Sequence, residues 1–322
     1  MTGSGSRRIW RNRRAGEKVD RSIKNRRKLT RDDLMSYALL SPYILLFAVF
    51  ILVPVLMTAG LSFTNFDVIN APRANGIANY VYLFTQDTVF MKYVLPNTFL
   101  YAIVVGVGGY VLSFLLAWML AQIQALPRTL LSLCIYMPSM LGQVFIGVIW
   151  RTVFSGDQGG WMNAVLLQLG WIDQPIQFLL TPDYFMLIMI VVSLWSSMGI
   201  GFLSMISGIL NINREIYEAA YIDGLRNRFQ EIVHVTIPSM KPQMLFGAVM
   251  SITSAFNMGW IGVTLAGVNP TPAYSGQLIT NHIDDYGFIR YEMGYAAAIS
   301  VMLLVIVYSF NLLAHKFFDE KD

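Results

Sequence analysis

Residues 213–242 read NREIYEAAYIDGLRNRFQEIVHVTIPSMKP, and this polar stretch lies between two long segments, 184–213 and 243–266, that contain no charged residue. Each exceeds the roughly 20 apolar residues that a helix needs to cross a bilayer. Spanning strands would instead alternate over about ten residues, which is not seen. The same charge-free pattern recurs at 37–63, 94–121, 129–150 and 293–314. We therefore predict an all-α integral membrane protein with six transmembrane helices.

The composition agrees with a membrane protein. Of the 322 residues, 55% are hydrophobic and 13% are charged, about half the roughly 25% charge of an ordinary soluble domain. The single cysteine, Cys134, excludes a disulfide framework within the chain and a Cys-rich metal site. The three histidines have none of the spacings that bind zinc. The sequence thus predicts no metal site.

The distribution of Lys and Arg predicts the orientation of the chain. If the N-terminus is inside, the inner segments 1–36, 122–128, 214–242 and 315–322 hold nineteen basic residues, and the outer segments hold four. Basic residues concentrate on the cytoplasmic side, so we predict a multi-pass protein of the cell membrane with both termini cytoplasmic. The basic tail, 1–36, fits a topology determinant that contacts anionic lipid. A nucleic-acid site is disfavoured because Trp10 is its only aromatic residue.

Within 213–242 the pattern predicts two short helices separated by a turn. Asn213 is a suitable N-cap, and acidic residues at 215 and 218 suit the positive end of a helix. Gly224 fits the end of the first helix. An amphipathic second helix follows and stops near Pro238, before the next span. The alternative is a connector that lies flat on the membrane.

The motif Glu218-Ala-Ala-Tyr-Ile-Asp-Gly224, followed by Ile237-Pro238 and Pro242, resembles the EAA loop of ABC importer permeases, and most closely the carbohydrate type. The interval from Gly224 to Pro238 is one residue longer than the commonest family spacing. The resemblance extends over about 37–316. It implies a type I ABC importer transmembrane domain over 94–316, preceded by a first helix at 37–63 and containing a cytoplasmic EAA loop at 214–242.

The family resemblance also implies partners and no covalent chemistry, and therefore no catalytic residue and no cofactor of the chain's own. ATP would be bound by a cytoplasmic ABC ATPase dimer, and the chain lacks the G-x-x-x-x-G-K-[ST] motif that holds nucleotide phosphates. A second homologous permease and an extracytoplasmic solute-binding protein complete the implied assembly. The residues that would contact the ATPase or shape that contact are Glu218, Ala219, Ala220, Asp223, Gly224, Arg226, Arg228 and Pro238.

The resemblance places the solute path midway through the membrane, on the helices that flank the loop. The candidate residues are Ser193, Trp195, Ser197, Ser251, Ser254 and Asn257. Hydroxyl and amide groups beside an aromatic ring suit a sugar, although small-residue helix packing could also explain the serines. The predicted spans contain no Asp, Glu, Lys, Arg or His. Ion-coupled carriers usually keep such groups, so the sequence favours an uncharged carbohydrate and an external energy source.

Two other classes of protein stay open at this point: a self-sufficient ion-coupled carrier or channel, and a membrane scaffold without a solute path. Prolines at 42, 54 and 138 are expected to kink their helices. Residues 159–170 are expected to form a short amphipathic helix on the outer side. The long outer loops suit either interfacial anchoring by aromatic residues or docking of a binding protein.

Overall fold

The computed structural model describes residues 31–318, which are mostly helical and contain no β-strand. By its internal contacts the chain divides into two units, Met1–Met57 and Thr58–Asp322. In the first unit the described residues belong to one apolar helix whose large side chains are exposed. Most of the predicted basic tail lies outside the described residues. The second unit contains the remaining helices and the three hydrophobic clusters.

The helices are numbered in chain order, and π-helical stretches are counted with the helix that they continue. They are α1 (Arg31–Phe47, Ala48–Leu52 and Val53–Leu61), α2 (Ala78–Thr85), α3 (Phe90–Ala121), α4 (Ala125–Met140), α5 (Gln143–Val153), α6 (Trp161–Gln168), α7 (Pro182–Ser196), α8 (Ile200–Leu210), α9 (Arg214–Ile222), α10 (Arg228–Glu231, Ile232–Thr236 and Ile237–Ser239), α11 (Lys241–Asn257), α12 (Trp260–Ala266), α13 (Ile279–Asp284 and Asp285–Ile289) and α14 (Met293–Phe318). Helix α6 confirms that a short helix lies within 159–170.

Three described helices, α1, α3 and α14, are each long and apolar enough to cross a membrane. The count rises to six when each of the pairs α4–α5, α7–α8 and α11–α12 is taken as one bent span. The predicted number of spans therefore fits, and the spans predicted at 129–150, 184–213 and 243–266 each consist of two helices joined at a bend. The three pairs are bent by 97°, 44° and 42°.

The sharpest bend follows a proline. Pro138 lies in the last turn of α4, where a kink was predicted, but the break comes three residues later. There Leu141 and Gly142 are extended, with ψ of 136° and 153°. Extended backbone cannot continue the helical hydrogen-bond ladder, so α5 starts in a new direction.

The two milder bends occur at glycines. Gly199, between α7 and α8, has φ −94° and ψ −143°, outside the helical region. Gly259 lies between α11 and α12, and its carbonyl accepts a hydrogen bond from Asn281 Nδ2 at 2.8 Å. The same carbonyl accepts a hydrogen bond from the Gly262 N–H at 3.0 Å. The bond from Asn281 therefore links α13 to the break in the neighbouring span.

Three hydrophobic clusters hold the second unit together. The first joins α2, α3, α11, α13 and α14 around Phe90 and Phe256. The second joins α3, α5, α7 and α12 around Tyr101 and Phe185. The third joins α3, α8 and the start of α11 around Phe202. Because α3 contributes to all three clusters, it is the central helix of this unit.

A buried polar cluster, which the sequence reading missed, joins α13 to the starts of α3 and α14. Asp87 and His282 have side chains only 3% and 2% exposed, and Asp87 Oδ2 lies 2.8 Å from His282 Nε2. The same carboxylate oxygen accepts a hydrogen bond from the Tyr295 hydroxyl at 2.8 Å, and Oδ1 accepts one from the Phe90 N–H at 2.8 Å. Burial alone would raise the pKa of Asp87, but the hydrogen bonds from His282, Phe90 and Tyr295 lower it below the ordinary value.

We expect Asp87→Asn to lower the melting temperature of the detergent-solubilised chain by several degrees, because breaking one side of a buried pair costs about 3–5 kcal/mol. Since folding lowers this pKa, the contribution of the carboxylate is present above the unfolded value of about 4 and is lost as the pH falls through the folded value. The difference from wild type should persist at pH 5 and narrow below about pH 4. Asp173→Asn, at an exposed carboxylate, is the control; equal melting of wild type and Asp87→Asn at pH 7 would contradict this account.

Candidate functional site

The loop between α8 and α11, defined here as the coupling loop (213–242), begins with a capped helix. Asn213 Oδ1 accepts a hydrogen bond from the Glu215 N–H at 3.1 Å, which makes Asn213 the predicted N-cap of α9. None of the residues of α9 is buried in the chain. A helix that carries several apolar side chains and buries none of them leaves a face available to a partner.

The turn after α9 depends on glycine. Gly224 has φ +98°, a conformation that L-residues with a side chain rarely adopt. The N–H of Leu225 donates to the Ala220 carbonyl at 3.0 Å, and that of Gly224 donates to the Tyr221 carbonyl at 3.2 Å. These two bonds form a Schellman motif, which closes the end of a helix. The predicted glycine bend is confirmed.

The second helix of the coupling loop, α10, is anchored in the protein. Asn227 caps it by accepting a hydrogen bond from the Gln230 N–H at 2.8 Å. Ile232 and Ile237 pack against the third cluster, next to Phe202. The helix runs through Pro238 and ends at Ser239, one residue beyond the predicted stop. A displacement of α10 would therefore move the side chains of α3 and α8 that belong to this cluster.

Side-chain bonds join the two helices of the coupling loop. The Tyr221 hydroxyl donates to Glu231 Oε2 at 2.6 Å, and Tyr217 Oη lies 3.2 Å from Thr236 Oγ1. Arg228 Nη1 lies 2.6 Å from the same Glu231 oxygen, and that carboxylate is buried. The hydrogen bond to Glu231 raises the pKa of Tyr221 and also that of Arg228.

These bonds make α9 and α10 one stiff pair, and sequence reasoning missed them. Tyr217 and Tyr221 are four residues apart and so share a face of α9, which was the available signal. Glu231, in contrast, was placed on the polar side of an amphipathic helix. Arg228 was predicted as a contact at the rim of the ATPase site, and the structure shows that its guanidinium is already bonded within the coupling loop.

The opposite face of α9 is open. Glu218 and Ala219 are exposed, Ile222 is 86% exposed, and Phe229 at the start of α10 is 73% exposed. Among the described residues Glu218 forms no ion pair. A rigid helix pair that exposes small, apolar and charged side chains together can dock into a cleft of a partner. A movement of the partner would then displace the helix pair.

A cavity of about 300 Å³ lies where α3, α4, α8 and α11 meet, at the break between α7 and α8. Of its 18 lining residues, ten are apolar or glycine and eight carry a hydroxyl group. The hydroxyl groups belong to Tyr110, Ser113, Tyr136, Ser139, Ser196, Ser197, Ser251 and Ser254. Its lining residues, all within the described chain, include no Asp, Glu, Lys, Arg or His. Such a site can form many hydrogen bonds and favours an uncharged ligand.

The structure brings together three of the six predicted path residues: Ser197, Ser251 and Ser254 line this cavity. Ser193 is fully buried instead, and its hydroxyl pairs with that of Tyr101. The Trp195 ring packs edge-on against Trp150 at 5.4 Å.

Asn257 does not line the cavity either; its side chain is exposed and donates to the Thr253 carbonyl at 2.8 Å. The sequence analysis does not predict the lining residues on α3 and α4, because the family resemblance places the solute path on the helices next to the coupling loop. A hydroxyl stripe, Tyr136 and Ser139 at i and i+3, was the available signal on α4.

Most of the cavity hydroxyls donate within the chain. Ser251 donates to the Gly106 carbonyl at 2.6 Å, and Ser197 donates to the Leu194 carbonyl at 2.8 Å. A hydroxyl oxygen keeps lone pairs after donating, so these groups can accept hydrogen bonds from a ligand. The Ser254 hydroxyl has no hydrogen-bond partner among residues 31–318, so it can both donate a hydrogen bond to a ligand and accept one.

Comparison with known proteins gives matches over most of the chain. Residues 109–318 match the family described as "Binding-protein-dependent transport system inner membrane component". The chain is 31% identical over 303 residues to the "Probable ABC transporter permease protein YesP" of Bacillus subtilis (strain 168), covering 92% of this chain and 94% of that protein. It is 28% identical over 280 residues to the "Arabinooligosaccharides transport system permease protein AraP" of the same organism, with 87% of each chain covered.

A solved structure shares the fold. It is a bacterial ABC transporter involved in the import of the acidic polysaccharide alginate, and one of its chains superimposes with a TM-score of 0.72 at 26% identity. The match covers 88% of this chain and 96% of that chain. The described helices therefore share the overall fold of a chain of a known ABC transporter.

Proposed function

The chain belongs to the family of binding-protein-dependent transport system inner membrane components, and from this premise we propose that it is a membrane permease subunit of an ATP-driven importer for a neutral sugar or oligosaccharide. The observation that carries the choice of solute is the cavity lined by hydroxyl groups without a charged residue. A sugar presents many donors and acceptors and no charge, which matches that lining. The arabinooligosaccharide permease AraP supports the carbohydrate class.

The alginate transporter, in contrast, handles an acidic polysaccharide. A carboxylate-bearing solute would favour an Arg or Lys in its site, and the lining residues of the cavity in this chain include neither. We therefore propose a neutral solute here, in spite of the shared fold.

The energy source, in this proposal, is a separate cytoplasmic ATPase dimer that docks on the coupling loop. Exposed Glu218, Ala219 and Ile222 would form the contact, and Asp223 and Arg226 would lie at its rim. The closely bonded helices α9 and α10 would carry the motion to the third cluster through Ile232 and Ile237. The orientation with both termini cytoplasmic, inferred from the Lys and Arg count, puts the loop on the side of that ATPase.

A second, homologous permease would complete the path. The exposed side of α5 supports this proposal, since Val144, Phe145 and Val148 are more than 60% exposed while Gly147 on the other side is buried against Thr264. An apolar helix face of this kind suits a protein or a lipid neighbour. An extracytoplasmic binding protein would deliver the solute, as the family description implies.

The competing function is an ion-coupled carrier that works alone. The decisive experiment reconstitutes the chain in vesicles, with and without a cytoplasmic ABC ATPase and a second permease of the same family, and measures uptake of labelled neutral oligosaccharides. We expect uptake only with the partners, a binding protein and ATP. Uptake by the chain alone, driven by a proton or sodium gradient, would contradict the proposal.

Filling the cavity should block transport without unfolding the protein. We expect Ser254→Leu to reduce uptake at least about tenfold, because the added side chain occupies the space for solute and removes a free hydroxyl. ATP hydrolysis by the complex should persist, measured as phosphate release. Ser309→Leu, on the exposed face of α14, is the matched control. Equal uptake by the two variants would show that solute does not pass Ser254.

A further inference from the structure

A second cavity, of about 620 Å³, lies at the end of the second unit that carries the coupling loop, and it shares no lining residue with the first cavity. Its walls come from the connection between α3 and α4, the end of α8 and the inner faces of α9 and α10. It is therefore enclosed by segments that are far apart in sequence. A ligand bound there would bridge the coupling loop to the rest of the unit.

The lining of this basic cavity carries more positive than negative charge. Three arginines line it, Arg128, Arg214 and Arg228, against one acid, Glu231. The Glu231 carboxylate is already bonded by Arg228 and by the Tyr221 hydroxyl, each at 2.6 Å. Neither Arg128 nor Arg214 forms an ion pair within residues 31–318. Two guanidinium groups are thus left for an external anion.

The surrounding backbone adds to the positive potential. Helix α4 is 16 residues long, and its amino end, at Gln124 and Ala125, borders the basic cavity without a side-chain cap. The first N–H groups of a helix attract anions.

We propose that the basic cavity binds a phosphate group through Arg128 and Arg214. The planar fork of a guanidinium matches two phosphate oxygens, and the volume is sufficient for a phospholipid headgroup or for a small phosphorylated solute. A phosphate held by both arginines ties the α3–α4 connection to α9. Occupancy would therefore restrict the motion of the coupling loop, and the site would regulate transport without touching the transported solute.

The test measures binding to the full-length purified chain rather than transport, so that it does not depend on the proposed importer function. In one arm, native mass spectrometry follows retention of phosphatidylglycerol against phosphatidylcholine. In the other, calorimetry in lipid-free detergent follows inorganic phosphate. The variants are Arg128→Gln, Arg214→Gln and the charge-preserving Arg128→Lys. Lys316→Gln removes one charge from the exposed end of α14 and is the control.

We expect each Arg→Gln variant to weaken binding at least tenfold, with Arg128→Lys intermediate and Lys316→Gln unchanged. Preferential retention of phosphatidylglycerol would identify the ligand as a lipid headgroup, and binding of inorganic phosphate alone would identify it as a soluble phosphate compound. If neither probe binds, or if both Arg→Gln variants bind like wild type, the proposal is wrong.

Discussion

Replacing Gly224 with valine is expected to reduce ATP-driven uptake at least tenfold while the chain still inserts in the membrane. Gly224 has φ +98°, where an L-residue is strained by about 1–2 kcal/mol and a β-branched one by more. A Cβ atom there would meet no other atom within 4 Å, so the effect arises from the backbone and not from a clash. Relief of the strain would open the Schellman motif and change the angle between α9 and α10.

Gly170→Val is the matched control for this experiment. Gly170 also follows a short helix with positive φ, +67°, and a Cβ atom there likewise meets open space. It lies outside the coupling loop, after α6. If strain in general were responsible, both variants would lose uptake alike. Uptake by Gly224→Val at more than half of the wild-type rate would contradict the role of the bend.

The second large effect is expected for Glu218→Ala. Its carboxylate is exposed and without an ion pair in the described chain, while the proposal pairs it with a basic residue of the ATPase. Removing one partner of a hydrogen-bonded charge pair within an interface costs about 2–5 kcal/mol, which corresponds to a 30-fold or larger loss of ATPase affinity. The measurement is the amount of ATPase that copurifies with the chain, together with uptake.

Glu215→Ala separates this role from a general effect of charge on α9. Glu215 is on the same helix, but its carboxylate accepts a hydrogen bond from Asn213 Nδ2 at 3.1 Å and so is engaged in the cap. We expect copurification to stay close to wild type in Glu215→Ala. Equal losses in the two variants would assign the effect to helix stability instead of docking.

The sequence predicts those features of the structure that depend on hydrophobicity or on the conformation of the local backbone. Charge-free segments of sufficient length located every span, since a bilayer core imposes the same length on all of them. Asn213 and Gly224 marked the start and end of α9, because capping and positive φ favour few residue types. The sequence also located part of the cavity that bears hydroxyl groups, at Ser197, Ser251 and Ser254.

Features that depend on distant contacts were not readable. Asp87 and His282 are 195 residues apart, and each looks like an ordinary residue of an outer loop. The bond from Asn281 to the Gly259 carbonyl, which stabilises the break between α11 and α12, likewise requires two segments to meet. The bond from Tyr221 to Glu231 likewise joins residues on opposite sides of the glycine turn. The order of residues along the chain does not indicate which distant residues form such pairs.

The central claim is that the coupling loop is the docking surface for an ATPase, and photo-cross-linking tests it most directly. The only cysteine, Cys134, is first replaced by alanine. A benzophenone maleimide is then attached through Ala219→Cys, at an exposed position of α9, or through Gly170→Cys as the control. The account predicts that irradiation joins the ATPase to the chain from position 219 and not from position 170. Absence of an adduct from position 219, in a complex that retains ATP-driven uptake, would contradict it.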